Sequence, residues 1–149
     1  ERAGDAVIGE VTDRDLADAR LLRGAIARLY VARADDVGPD PDDIDTVNLF
    51  AATPDVPPSL GGGRRQAGAQ RLRVGQLLSS LARDAIRVLS QRGEKRVRRC
   101  AAADCRLVFH DESRTGNRRW CAMERCGNRA KVRAHRERAA MRRVQQRGL

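Results

Sequence analysis

Four cysteines carry the most legible chemistry in this chain. They read Cys100-x4-Cys105, then fifteen residues, then Cys121-x4-Cys126, and all four lie within 27 consecutive residues with none elsewhere. Two close pairs around a hairpin-sized insert suit one tetrahedral zinc. Each pair bends its backbone so that two sulfurs reach the ion at about 2.3 Å. Four ligands leave no open position, which points to a single structural Zn²⁺ and away from a catalytic one. Two disulfides are a competing reading, disfavoured because no secretory signal pattern opens the chain and a reducing cytosol keeps thiols free. An iron–sulfur cluster or redox thiols are a third. His110 and His135 read as surface residues, since four cysteines already satisfy the ion.

The insert predicts its own geometry. Arg106-Leu107-Val108-Phe109-His110 reads as a strand leaving the first pair, Gly116-Asn117 as a turn, and Arg118-Arg119-Trp120 as the return to the second pair. Phe109 and Trp120 are expected to form a small core beside the metal. Four thiolates on Zn²⁺ leave a formal charge of −2, which Arg99, Arg106, Arg125 and Arg129 can partly offset from their places next to the ligands. The same arginines could instead face phosphates. Asp111 and Glu112 are adjacent carboxylates on an expected turn with no matched base or nucleophile, so they read as solvated. No catalytic residue is assigned, and an enzyme is not expected.

After Cys126 the sequence turns helical and basic. Residues 129–147 hold eight positive charges against the single Glu137. At 100° per residue, Arg129, Arg133, Arg136, Arg143 and Arg147 share one face, while Lys131, Arg138 and Arg142 share another. Ala130, Ala134, Met141 and Val144 make a narrow apolar seam, too thin for deep burial. A helix so charged repels itself in water, and phosphates relieve that repulsion.

The charge is confined to this end. Residues 1–94 hold 13 Arg against 15 acidic residues, and residues 95–149 hold 17 basic against 5 acidic. Of the 30 basic residues 28 are Arg, so clustering says more than identity. A boundary near residue 94 therefore divides a mainly helical domain, 1–94, from a zinc module with a basic helix, 95–149. The expected fold class is mainly α with a small zinc-bound β-hairpin plus helix module, α+β overall.

Three helices are predicted in the first domain. Thr12 and Asp15 form a capping-box pair before an apolar stripe of Leu16, Ala19, Leu22, Ile26 and Leu29, ending near Ala34. Asp40-Pro41 starts a second helix with Ile44, Val47, Phe50 and Ala51 on its apolar face. Asp42 and Asp43 sit at the positive end of its dipole. A third runs from about Gln70 to Gln91 with Val74, Leu77, Leu78, Leu81, Ala85 and Val88 inward and Gly93 as its cap. Gly61-Gly62-Gly63-Arg64-Arg65 reads as a linker or hairpin tip, because it lacks the strand and the Lys-Ser/Thr of a phosphate loop. No apolar run spans a membrane. The chain opens at Glu1 without Met, as a trimmed chain would.

From Cys121-Ala122-Met123-Glu124-Arg125-Cys126 through Gly127-Asn128-Arg129-Ala130-Lys131-Val132-Arg133 the sequence resembles the bacterial CGNR zinc-finger proteins. The likeness extends from about Val97 to Arg138. It implies zinc ligation by the four cysteines and a structural or DNA-facing role for Gly127, Asn128 and Arg129. It further implies an N-terminal ABATE domain of the kind found in stress-induced transcription regulators. The strand-bearing segment that opens that domain has no counterpart before Val11, so the domain is expected to be incomplete.

The residues and the resemblance together predict a zinc-dependent DNA-binding regulator, cytoplasmic and nucleoid-associated. Arg114, Arg118, Arg119, Arg129, Lys131, Arg133 and Arg136 are the candidate nucleic-acid contacts. An RNA-binding or ribosome-associated module and a protein-interaction adaptor are the alternatives. A homodimer would fit paired half-sites, and a small-molecule ligand of the N-terminal domain is left open.

Overall fold

The computed structural model describes residues 7–56, 71–91 and 96–147. The Gly61–Gly63 linker and the Gly93 cap fall outside them. Two compact units divide the chain, one of Glu1–Arg33 with Val37–Arg92, the other of Ala34–Asp36 with Gly93–Leu149. No helix among the described residues is long and apolar enough to cross a membrane.

The first unit is built on three helices. α1 spans Asp13–Asp35. Its start is the predicted capping pair: Thr12 donates to Asp15 Oδ2 from its backbone N at 2.8 Å and its hydroxyl at 2.6 Å, and its Oγ1 accepts from Asp15 N at 3.2 Å. Its end is a left-handed turn at Asp36, φ +60°, with Val37 N donating to Ala32 O at 3.0 Å. α2, Pro41–Ala52, begins where Asp40 Oδ1 accepts from Asp42 N at 3.0 Å. α3 spans Val74–Leu89, and Arg73 N donates to Gln76 Oε1 across its first turn.

All three helices contribute to one buried cluster: Leu22, Ala25 and Leu29 from α1, Val47 from α2, Leu78 and Ala82 from α3. The predicted stripes supply Leu22, Leu29, Val47 and Leu78 to this cluster, and particular positions differ. Leu16, Ile44 and Leu81 are exposed, whereas Ala25, Ser79 and Ala82 are fully buried. The buried arc of α3 runs through Leu78, Ala82 and Ala85, with Val74, Ile86 and Leu89 beside it. Ala25 and Ala82 sit beside Leu22 and Val47 in this core, so small side chains are buried along with large ones. Ser79 joins that face because its hydroxyl donates to Thr53 O at 2.7 Å. Asp43, in the first turn of α2, is buried. Arg28 clamps it with Nε at 2.9 Å from Oδ2 and Nη2 at 2.6 Å from Oδ1, linking α1 to α2. That hydrogen-bonded guanidinium holds the Asp43 carboxyl below its usual range.

A strand does precede Val11, contrary to expectation. β1, Val7–Ile8, pairs in parallel with β2, Arg71–Leu72, and Gly9 N extends the ladder to Leu72 O at 3.0 Å. Parallel strands require a crossover, here the segment holding α1 and α2. Two residues are too few to show alternation, which hid β1 in the sequence.

The second unit holds β3, Val97–Arg99, and β4, Val108–His110, antiparallel in the register Val97↔His110, Arg98↔Phe109, Arg99↔Val108. A π-helical turn, Met123–Gly127, then leads into α4, Asn128–Arg147. The expected partner of β4 was Arg118–Trp120. The observed partner precedes the first cysteine, because the Cys100–Cys105 turn itself reverses the chain.

Leu22 is 2% exposed at the centre of the helical cluster. Leu22→Ala should destabilise the N-terminal unit by about 3 kcal/mol, measured as a lower urea midpoint of its helical unfolding transition.

Candidate metal centre

The strand pair delivers the first two sulfurs. At the end of β3, Cys100 N donates to Leu107 O at 2.9 Å, and the turn closes with Cys105 N donating to Ala102 O at 2.9 Å. Ala101 N donates to Arg119 O at 2.8 Å, bringing the segment before Cys121 alongside. The π-helical turn delivers the other two. Cys126 N and Gly127 N both donate to Ala122 O, at 3.0 and 3.2 Å.

The four Sγ atoms all lie within 4.8 Å of one another, and all four cysteines are free thiols. Cys105 and Cys121 Sγ are 3.9 Å apart, and Cys121 and Cys126 Sγ 3.7 Å. A tetrahedron with Zn–S bonds of about 2.3 Å has edges of about 3.8 Å. These separations fit a single ion. They are far longer than the S–S bond of about 2.05 Å in a disulfide.

The acidity of the thiols carries the same message. Burial pushes Cys100 up, but backbone N–H groups of Ala102 and Cys121 and the thiols of Cys126 and Cys105 outweigh it and bring Cys100 down to about 7. Cys121 is pushed up to about 12 by burial and by the neighbouring Cys126, Cys100 and Cys105 sulfurs. One thiolate forms readily, while Cys121 resists because it is buried among neighbouring sulfurs. A bound dication reverses that penalty, so the donor set suits one structural Zn²⁺. N–H donors already face the sulfurs: Cys121 N lies 3.5 Å from Cys100 Sγ and Arg129 Nη2 lies 3.4 Å from Cys126 Sγ.

The run Cys126-Gly127-Asn128-Arg129 can now be read in physical terms. Cys126 is 3% exposed in the sulfur cluster. At Gly127 a Cβ would run into the Met123 side chain and touch Trp120 at 3.5 Å. Asn128 Nδ2 donates to Glu124 O at 3.3 Å, tying the π-helical turn to α4. Arg129 reaches Cys126 Sγ with one nitrogen and Asp104 Oδ2, at 3.0 Å, with another. Of the four arginines proposed to offset the sulfur charge, Arg129 is therefore observed doing so. Arg99 instead pairs with Asp35 of the same unit, Nε to Oδ1 at 2.5 Å.

Trp120 packs against the buried Cys100, Ala102 and Cys126, as expected. Phe109 lies elsewhere, beneath Arg118, whose guanidinium carbon is 5.3 Å from the ring centroid. Arg118 Nη2 also donates to Cys121 O at 2.9 Å, so it braces the module. Arg119 stands over Trp120 at 5.0 Å. Arg114, Arg119, Lys131, Arg133 and Arg136 are exposed.

Two sequence readings are corrected. Asp111 is not solvated: it is fully buried. Its Oδ1 accepts from Ser113 Oγ at 2.6 Å and Ser113 N at 3.0 Å, and its Oδ2 accepts from Arg118 N at 2.8 Å. The Ser113 hydroxyl, with the Arg118 and Ser113 amides, outweighs burial and lowers the carboxyl to about 2. Arg96 Nη1 closes the same loop from outside, donating to Asp111 O at 3.2 Å and Ser113 O at 2.5 Å. Gly116, at φ +58°, takes the one left-handed position in the loop. The Asp-x-Ser spelling of an Asx turn was the available signal. His110 is the second correction: its side chain is only 20% exposed, with Nδ1 3.7 Å from Glu112 Oε1. Neither His110 nor His135 belongs to the sulfur cluster.

A helical N-terminal domain followed by a four-cysteine module with a basic helix defines a zinc-finger protein. Residues 1–92 match the ABATE family model, described as "Putative stress-induced transcription regulator", and residues 96–139 match the CGNR zinc finger. The chain belongs to the ABATE family and carries a CGNR zinc finger behind that domain. No curated protein matches it.

Replacing Cys100 or Cys126 by Ser should abolish stoichiometric zinc, one ion per chain falling to near none by native mass spectrometry, and chelation of the wild type should erase the β3–β4 signals in NMR spectra. Asp111→Ala should shorten zinc retention under chelator at least about five-fold, because two backbone amides lose their acceptor. A carboxyl lowered to about 2 contributes stability that is complete above the ordinary carboxylate range and is lost as pH falls through about 2. The deficit of Asp111→Ala should therefore be constant between about pH 6 and 8.

Proposed function

We propose that the zinc module binds duplex DNA and that the chain acts as a transcription regulator without catalytic activity, in the cytoplasm at the nucleoid. The observation that carries the reading is the state of α4. Lys131, Arg133, Arg136, Arg138, Arg142 and Arg143 are all exposed, and no residue of α4 described for burial is buried; Ala130, Ala134 and Ala139 reach only half-burial. Burial therefore does not account for this helix, and its exposed character is dominated by one sign of charge. Phosphates supply the opposite sign and release counterions when they are bound.

The metal centre fixes the first turn of α4 against the Cys100–Cys105 turn, so the helix leaves a rigid base. In this reading Arg136, Lys131 and Arg143 meet phosphates, and the exposed Arg114 and Arg119 add contacts from the loop and the Trp120 segment. Held over an aromatic ring, Arg119 loses less freedom on contact than a free side chain would. Arg118 and Arg129 act first as braces of the module. Duplex is favoured over unpaired RNA because Trp120 packs on the sulfur cluster and Phe109 lies under Arg118. Neither ring is open for stacking on a splayed base.

Binding of the zinc-loaded chain to a random duplex should weaken steeply with salt, with log K falling against log[salt] at a slope near −5 for about six phosphates. Fluorescence anisotropy over a salt series measures it. Salt-independent binding, or preference for a structured RNA competitor over duplex, would remove the DNA reading.

A further inference from the structure

The start of α4 already holds an anion of the protein's own. Asp104 lies in the turn between Cys100 and Cys105, and its Oδ2 is 3.0 Å from Arg129 Nη1 and 4.0 Å from Arg133 Nη2. The three side chains are 45–53% exposed. Arg129 and Arg133 stand one helical turn apart and so project from the same face. Two guanidiniums converging on a single oxygen form the kind of receptor that takes a phosphate oxygen. A carboxylate occupies it here.

The rest of the helix differs. Among the described residues, no carboxylate lies within ion-pair distance of Lys131, Arg136, Arg138, Arg142 or Arg143. The sulfur cluster also draws on Arg129, which donates to Cys126 Sγ. A phosphate approaching the Arg129–Arg133 face meets the Asp104 charge and two arginines already engaged. One approaching Lys131 or the later arginines meets unpaired cations.

We infer that Asp104 sets the polyanion affinity of the module: it is a built-in phosphate mimic that neutralises the Arg129–Arg133 face of α4 and shifts phosphate contact to the other cations of the helix. This rests on the nucleic-acid reading above. Arg133 is a cation held in reserve, and Arg129 belongs to the metal centre.

The test uses the full zinc-loaded chain with Asp104→Asn, which removes the charge and keeps the shape. Affinity is measured for a random DNA duplex and, separately, for inorganic polyphosphate. Both affinities should rise about 3- to 10-fold at about 0.1 M salt, with the salt slope steeper by about one and one zinc still bound. In the wild-type background Arg136→Gln should weaken binding several-fold more than Arg133→Gln, and in the Asp104→Asn background the two should cost the same. Unchanged or weaker binding by a zinc-loaded Asp104→Asn chain overturns the inference. Should that variant lose its zinc, equal losses from Arg133→Gln and Arg136→Gln in the wild type overturn it instead. A wild type that ignores duplex DNA, while Asp104→Asn gains on polyphosphate, defeats the DNA reading and leaves the role of Asp104 standing. DNA binding indifferent to Asp104 does the reverse.

Discussion

Four sulfurs held within 4.8 Å of one another place the constraint on which the C-terminal unit depends. Thiolates so close repel one another, and burial adds to the cost at Cys121. A bound dication offsets that repulsion and couples metal binding to folding. The unit has little else to hold it. Its buried apolar cluster is Cys100, Ala102 and Cys126, with Trp120 and the other two cysteines beside it. The short β3–β4 pair, the π-helical turn and the first turn of α4 all converge on that cluster. A core so small is characteristic of modules whose metal supplies the folding energy.

Three acids of this basic unit brace its loops and cations. Asp111 is buried to accept from the Ser113 and Arg118 amides, fixing the loop that carries Arg114. Asp104 holds Arg129 across the top of the sulfur cluster. Asp35 takes Arg99. Positive charge is thereby restrained around the metal and left free farther along α4. The N-terminal unit applies the same chemistry in the Arg28 clamp on Asp43, but leans chiefly on an apolar cluster shared by three helices.

The chain's spacing made its main features legible. The Cys-x4-Cys pairs, the Thr12–Asp15 and Asp40–Pro41 helix starts and the basic helix after Cys126 are local signals, and local signals survive folding. What escaped depended on tertiary context. On α3 the buried arc runs through Leu78, Ser79 and Ala82, and Leu81 faces solvent. β4 paired with residues before Cys100 because the knuckle itself is the reverse turn. β1 was too short to leave a period. Asp111 looked solvated because its three donors become neighbours only when the loop closes. Asp104 drew no notice, since its partners lie more than twenty residues on.

X-ray absorption at the zinc edge of protein purified without added metal tests the central claim most directly. Four sulfur scatterers at about 2.3 Å and no nitrogen or oxygen shell are the expected result. A mixed shell containing imidazole or oxygen, or a chain that retains no zinc with its cysteines reduced, would contradict it.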